Sequence, residues 1–192
     1  MSDVVIDKLK TALVVIDLQK GIVGRPTVPY TTDSVVANAA GLAAAFRENA
    51  MPVFLVRVKP SPDWKDALRP KADTAWPAHT PPPDWAEIVP EMGPEPGDFV
   101  ITKLQWGAFY GTGLDLQLRR RGMTTIVLCG IATEFGVEST ARDAYEFGYE
   151  QVFAADAMTG VNAESHANAV ERIFPRIGQV RRTEEILAAL AG

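Results

Sequence analysis

Residues 126–143 read IVLCGIATEFGVESTARD, and the order of their patterns decides the fold class. The run 125–129 (TIVLC) is apolar after its first residue and begins with three β-branched side chains, as expected of a strand buried on both faces. A turn follows, and a helical pattern over 134–147 starts after Thr133 and stops at Gly148, a common terminator. Strand, turn and helix in that order form half of a βαβ unit.

The same rhythm extends to both sides. Runs at 12–16 (ALVVI), 53–58, 99–102 and 152–155 predict further strands, with a weaker sixth at 177–180. Between them lie helical patterns. Over 33–49, apolar residues recur at 35, 36, 39, 42, 43 and 46, with Asp33 or Ser34 as the cap. Helices are also expected at 114–121, ending before Gly122, at 162–174 and at 183–190. Such alternation implies a parallel sheet covered by helices.

The whole chain, 1–192, reads as one domain, long enough to bury a full core. One segment breaks the rhythm. Residues 59–97 hold ten of the 14 prolines and three of the four tryptophans, Trp64, Trp76 and Trp85. Prolines at that density oppose a long helix, whereas tryptophans need surface to cover them. The reading is an ordered excursion that roofs a site or joins a subunit interface; an insertion that simply packs on the domain is the plainer alternative.

With 22% charged residues and a net charge of −5, the chain lacks the basic footprint that nucleic acid requires. The arginines 119–121 suit a solvated helix end. The sole cysteine, Cys129, excludes an internal disulfide and fits a reducing compartment. The N-terminus has no apolar stretch with a cleavage site, and 12–16 is far too short to span a membrane. A cytoplasmic protein without membrane or nucleic-acid partners is expected.

In an open parallel sheet, ligands bind beyond the carboxyl ends of the strands. Asp17 lies there after the first strand, Lys103 after the third, and the 131–136 turn after the fourth. An acid, an ammonium and a helix start on one rim make a credible site. Each also has a plainer reading. Asp17 suits a turn cap, Lys103 a solvated rim residue, and Gly136 a helix position with a close neighbour, since glycine there costs up to about 1 kcal/mol relative to alanine.

The strings DLQKG (17–21), TKLQWGAFYGTGLDLQL (102–118), GIATEFGVESTARDA (130–144) and the later Asp156–Ala157 resemble the isochorismatase-like hydrolases, the superfamily that includes nicotinamidases. The similarity covers residues 11–160. It implies a three-layer α/β/α fold on a six-stranded, mainly parallel sheet, with Asp17 and Lys103 as the acid/base pair. It implies that Gln19, Ile131, Ala132, Thr133 and Gly136 contact substrate, and that the Ile131–Ala132 peptide is cis. A homodimer or larger homo-oligomer, a small carboxylate substrate and no cofactor are implied as well.

Two departures stand out. Gly136 occupies the position of the family's nucleophilic cysteine, and Cys129, seven residues earlier in a strand, cannot replace it. The aspartate–histidine metal cluster of nicotinamidases has no counterpart, because the only histidines are His79 and His166. Without a thiol, covalent amide hydrolysis is disfavoured. True isochorismatases of the same superfamily cleave a vinyl ether, a reaction that needs a proton donor but no protein nucleophile. Three readings follow: acid-catalysed vinyl-ether hydrolysis, hydrolysis of an unknown small substrate, and non-catalytic binding or regulation.

Overall fold

A computed structural model describes residues 4–74 and 81–192. Trp76 and His79 lie outside the described residues. Strands β1 (Thr11–Ile16), β2 (Val53–Val58), β3 (Phe99–Lys103), β4 (Thr125–Ile131), β5 (Glu150–Thr159) and β6 (Gln179–Arg181) form one sheet in the order β3-β2-β1-β4-β5-β6. Each neighbouring pair is parallel. The helices are α1 (Lys20–Val23), α2 (Thr32–Glu48), α3 (Leu114–Arg120), α4 (Glu138–Glu146), α5 (Ala163–Asn168), α6 (Phe174–Ile177) and α7 (Thr183–Ala191).

Every residue of β1 is buried, which is why its sequence shows no polar alternation. Its side chains still divide between two cores. Leu13 and Val15 pack with Phe46 of α2 and Leu190 of α7 on one face. Ala12, Val14 and Ile16 pack with Leu118 of α3, Ala141 of α4 and Phe174 of α6 on the other. A helix layer on each face of a parallel sheet is the three-layer α/β/α architecture.

Helix α2 buries Val35, Val36, Ala39, Leu42, Ala43 and Phe46, the stripe that its 3.6-residue period marks out. Its cap is Thr31, whose hydroxyl accepts the Ser34 N–H at 3.2 Å, rather than Asp33 or Ser34. The helix expected over 162–174 is interrupted. It runs as α5, a wider turn at Ala169–Ile173 and then α6. Pro175 explains the break, since a residue lacking N–H fits only the first turn of a helix. The last strand accordingly falls at Gln179–Arg181, beyond α6.

From β1 the chain winds toward β2 and β3, and from β4 toward β5 and β6. The crevice beyond β1 and β4 is thus the switch point where open sheets bind ligands. At the end of β4 the register with β5 shifts between Leu128 and Gly130. Gly130 has φ 120°, and a Cβ there would collide with the Ile16 carbonyl oxygen. Only glycine lets β4 pass this close to the end of β1.

Candidate functional site

Asp17 follows β1 directly, with φ 54° turning the chain sharply, and its N–H donates to the Val56 carbonyl at 3.0 Å. Lys103 ends β3, two strands away, a separation of roughly 10 Å at ordinary strand spacing. A lysine side chain is long enough to cross the end of β2, and its Nζ stands 2.8 Å from Asp17 Oδ2. The ammonium also donates to the Trp106 carbonyl. Lys103 is 1% exposed and Asp17 8%, so this is a buried pair. Asp17 Oδ1 has no hydrogen-bond partner among the described residues.

Burial raises the Asp17 pKa from 3.8 to about 6, against the opposing attraction and hydrogen bond of Lys103. A carboxyl group titrating there keeps roughly one proton in ten molecules at pH 7. It is therefore able both to give and to take a proton near neutrality.

The third component comes from β4. The Ile131–Ala132 peptide is cis, and a π-helical turn at Thr133–Val137 leads into α4. The N–H groups of Phe135 and Val137 both donate to the Ala132 carbonyl, at 3.1 and 3.2 Å. Gly136 faces the acid–lysine pair. A Cβ at this position would lie 2.9 Å from Ile16 Cγ2, 3.1 Å from Asp17 Oδ2 and 3.2 Å from Lys103 Nζ. Glycine lets the helix start approach the charged pair without displacing it.

Asp17, Ile131, Ala132 and Gly136 open onto a cavity of about 640 Å³. Its walls are largely apolar. Trp106 and Phe135 meet on one side, ring centroids 4.8 Å apart. The proline-rich excursion supplies Pro60, Ala67, Leu68 and Trp85 on the other, with Trp64 packed edge-on against Trp85 at 5.5 Å. The excursion is thus part of the cavity wall. Lys20 ties it down through Asp84 at 3.0 Å and Glu87 at 2.7 Å.

Three residues expected to touch a ligand stand elsewhere. Gln19 is fully buried, and its amide donates to the carbonyls of Val58 and Trp85 while accepting the Val58 N–H. It stitches β2 to the excursion instead of facing the cavity. The Thr133 hydroxyl turns to His166 Nδ1 at 2.8 Å and is also buried. Lys103 lies beneath the cavity and does not line it. Conversely, Arg25 lines the cavity although no sequence pattern singles it out, and Trp85 lines it as part of the excursion expected to roof a site or join an interface.

The isochorismatase domain profile matches residues 11–185. The chain belongs to the isochorismatase family. The family protein YecD of Escherichia coli O157:H7 is 53% identical over 180 residues, covering 94% of this chain and 96% of YecD. The solved structure of an isochorismatase family protein from Burkholderia thailandensis superposes with a TM-score of 0.94 at 46% identity, covering all of both chains. The protein named Probable isochorismatase in Pseudomonas chlororaphis is 29% identical, covering 95% of this chain and 87% of that protein.

Other reactive groups of this family member lie away from the cavity. Cys129 is fully buried within β4, and desolvation pushes its thiol up to about 12, far from the thiolate range a nucleophile needs. Alkylation with iodoacetamide under native conditions should leave both the protein unmodified and any turnover intact. Stoichiometric labelling of Cys129 with loss of activity would contradict its structural role. His166 is buried beside Thr133, where desolvation lowers its pKa. Among the described residues, no group of three or more His, Cys, Asp or Glu side chains is placed to hold a metal ion.

Proposed function

We propose that the chain hydrolyses a small carboxylate-bearing vinyl ether, with isochorismate as the test compound, using Asp17 as acid and no covalent enzyme intermediate. The observation that carries this reading is a buried carboxyl group titrating near 6, held beside Lys103 and facing Gly136, which has no side chain. Kinship with the Pseudomonas chlororaphis protein named an isochorismatase supports the substrate class.

In the proposed reaction, the π electrons of the enolpyruvyl double bond take the Asp17 proton at the methylene carbon, making a methyl group. The ether carbon becomes an oxocarbenium centre, and water adds to it while losing a proton to the Asp17 carboxylate. The hemiketal then breaks its bond to the original ether oxygen, and its hydroxyl proton passes to that oxygen. Pyruvate and an alcohol leave, and one water is consumed. Lys103 holds Asp17 in position and opposes a still higher pKa.

The second reading is hydrolysis of a different small substrate; if that were an amide, it would require a nucleophile beside Asp17. Thr140 is committed elsewhere, donating to the Gly136 carbonyl at 2.6 Å and accepting the Ala108 N–H at 3.1 Å. Thr133 is paired with His166. A third reading, a binding protein without turnover, uses the same cavity. Assaying isochorismate for pyruvate beside nicotinamide and ureidoacrylate for ammonia separates vinyl-ether from amide hydrolysis. Pyruvate is expected; ammonia without pyruvate supports an amide hydrolase, and the absence of both overturns the vinyl-ether reading.

The proposed assembly is a homodimer or larger. Leu104, Trp106 and Tyr110 project from one loop near the cavity mouth, with Trp106 52% and Tyr110 80% exposed, more aromatic surface than a monomer usually leaves wet. Sedimentation should give at least twice 20.8 kDa; a monomer at micromolar concentration would refute the assembly. Small molecules are the proposed partners, not nucleic acid or membrane. Among the described residues, no helix is long and apolar enough to cross a membrane.

A further inference from the structure

We infer that Thr140 is a positioning residue for the acid–lysine pair, because its one hydroxyl ties the loop that holds Lys103 to the helix start that carries Gly136. The inference rests on the proposed function for the reaction that this positioning serves. Thr140 itself touches neither substrate nor the carboxyl group of Asp17; it acts through the two segments it joins.

Two segments meet at the pair. The Lys103 ammonium donates to the Trp106 carbonyl as well as to Asp17, so the position of the loop 104–113 governs where the ammonium stands. Gly136 arrives from the other side, where a Cβ would lie 3.2 Å from Lys103 Nζ. Thr140, fully buried on α4, reaches both segments. Its hydroxyl donates to the Gly136 carbonyl at 2.6 Å and accepts the Ala108 N–H at 3.1 Å. A backbone carbonyl only accepts and a backbone N–H only donates, so the direction of each bond is fixed. The bonds close a circuit from Asp17 through Lys103, the Trp106 carbonyl, Ala108 and Thr140 to Gly136, which faces Asp17 again.

The packing around this hydroxyl allows a close approach of loop to helix. Gly107 and Ala108 are both buried. A Cβ on Gly107 would lie 2.5 Å from Asp143 Oδ2 and 3.8 Å from Ser139 Cβ, both on α4. Small residues let the loop backbone lie on the helix, within reach of a side chain as short as threonine. Phe109, the next residue, is buried in the same core as Ala141 of α4. A helical threonine commonly bonds back to the carbonyl four residues earlier. Here the same oxygen also holds a segment 32 residues away. Without the hydroxyl the Ala108 N–H loses its partner in a buried place, and the loop shifts to satisfy it. The Trp106 carbonyl moves with the loop, and the Lys103 ammonium is drawn from its place at Asp17.

Thr140→Val keeps the shape and removes the hydroxyl, whereas Thr140→Ser keeps the hydroxyl. Carboxyl-carbon NMR of aspartate-labelled protein, with Asp17 assigned by its loss in Asp17→Asn, reads the pair without any substrate. Wild-type Asp17 should titrate at about 6. In Thr140→Val the midpoint should move to higher pH, because a displaced Lys103 opposes the effect of burial less. Thr140→Ser should restore it. With isochorismate, Thr140→Val should lower kcat about tenfold or more and leave KM within a few-fold, again with rescue by serine. If circular dichroism shows Thr140→Val unfolded, Thr140→Ala removes the same hydroxyl with a better helix former and is read the same way. A folded variant without the hydroxyl that keeps the wild-type midpoint or the wild-type kcat overturns the inference. So does a midpoint that stays displaced in Thr140→Ser. A midpoint displaced by valine and restored by serine, with no pyruvate from the wild type, upholds Thr140 as the residue that places the pair and overturns the vinyl-ether reaction.

Discussion

Replacing Asp17 by asparagine should lower turnover about a thousandfold, within the range that a positioned general acid contributes. Asparagine keeps the shape and an acceptor for Lys103 but has no acidic proton. Its fold should be retained, because the folded state already favours a neutral group here, holding the Asp17 proton up to about pH 6. The double variant Asp17→Asn/Lys103→Met removes both charges and should likewise fold and remain inactive. Recovered turnover in either protein would assign the proton donor to another group.

The pH dependence of stability has a definite sign. The folded-state pKa of Asp17, about 6, lies above its ordinary 3.8. The native protein therefore holds this proton more tightly than the unfolded chain does. The stability it contributes is complete below about pH 4 and is lost as pH rises through about 6. The asparagine variant should lack that slope in chemical denaturation across pH 4 to 7, roughly the window between those two values.

Gly136→Ala should have the second largest effect, about a hundredfold loss of turnover, comparable to a small misplacement of catalytic groups. Alanine is intrinsically the better helix former, by up to about 1 kcal/mol. Its methyl would nonetheless stand 2.9 Å from Ile16 Cγ2 and close to both Asp17 Oδ2 and Lys103 Nζ, closer than ordinary van der Waals contact allows. The pair must separate or the helix start must retreat. A near-normal melting temperature with lost turnover is the expected combination. Full activity would mean that nothing in the reaction depends on the space in front of Gly136.

Much of the architecture was legible because burial on both faces writes itself into a strand as an unbroken apolar run, as in β1 and β4. The convergence of Asp17, Lys103 and Gly136 was legible for a related reason, since the carboxyl ends of parallel strands share one rim. Side-chain direction was not legible. Gln19 and Thr133 adjoin the site in sequence, yet one turns to the backbone of Val58 and Trp85 and the other to His166. Arg25 and Trp85 sit in irregular segments with no period to read. Their arrival at the cavity depends on the Val28–Gly160 bridge and the Gln19 amide, contacts between residues far apart in the chain.

The most direct test of acid catalysis is the rate of pyruvate release from isochorismate between pH 5 and 9, a range of roughly neutral working conditions. Only protonated Asp17 donates, so kcat/KM should be level at the acid end and fall about tenfold per pH unit above about 6. That falling limb should disappear, together with the rate, in Asp17→Asn. A rate that is flat or rises through this range, or an Asp17→Asn enzyme with the wild-type profile, would contradict the role assigned to Asp17.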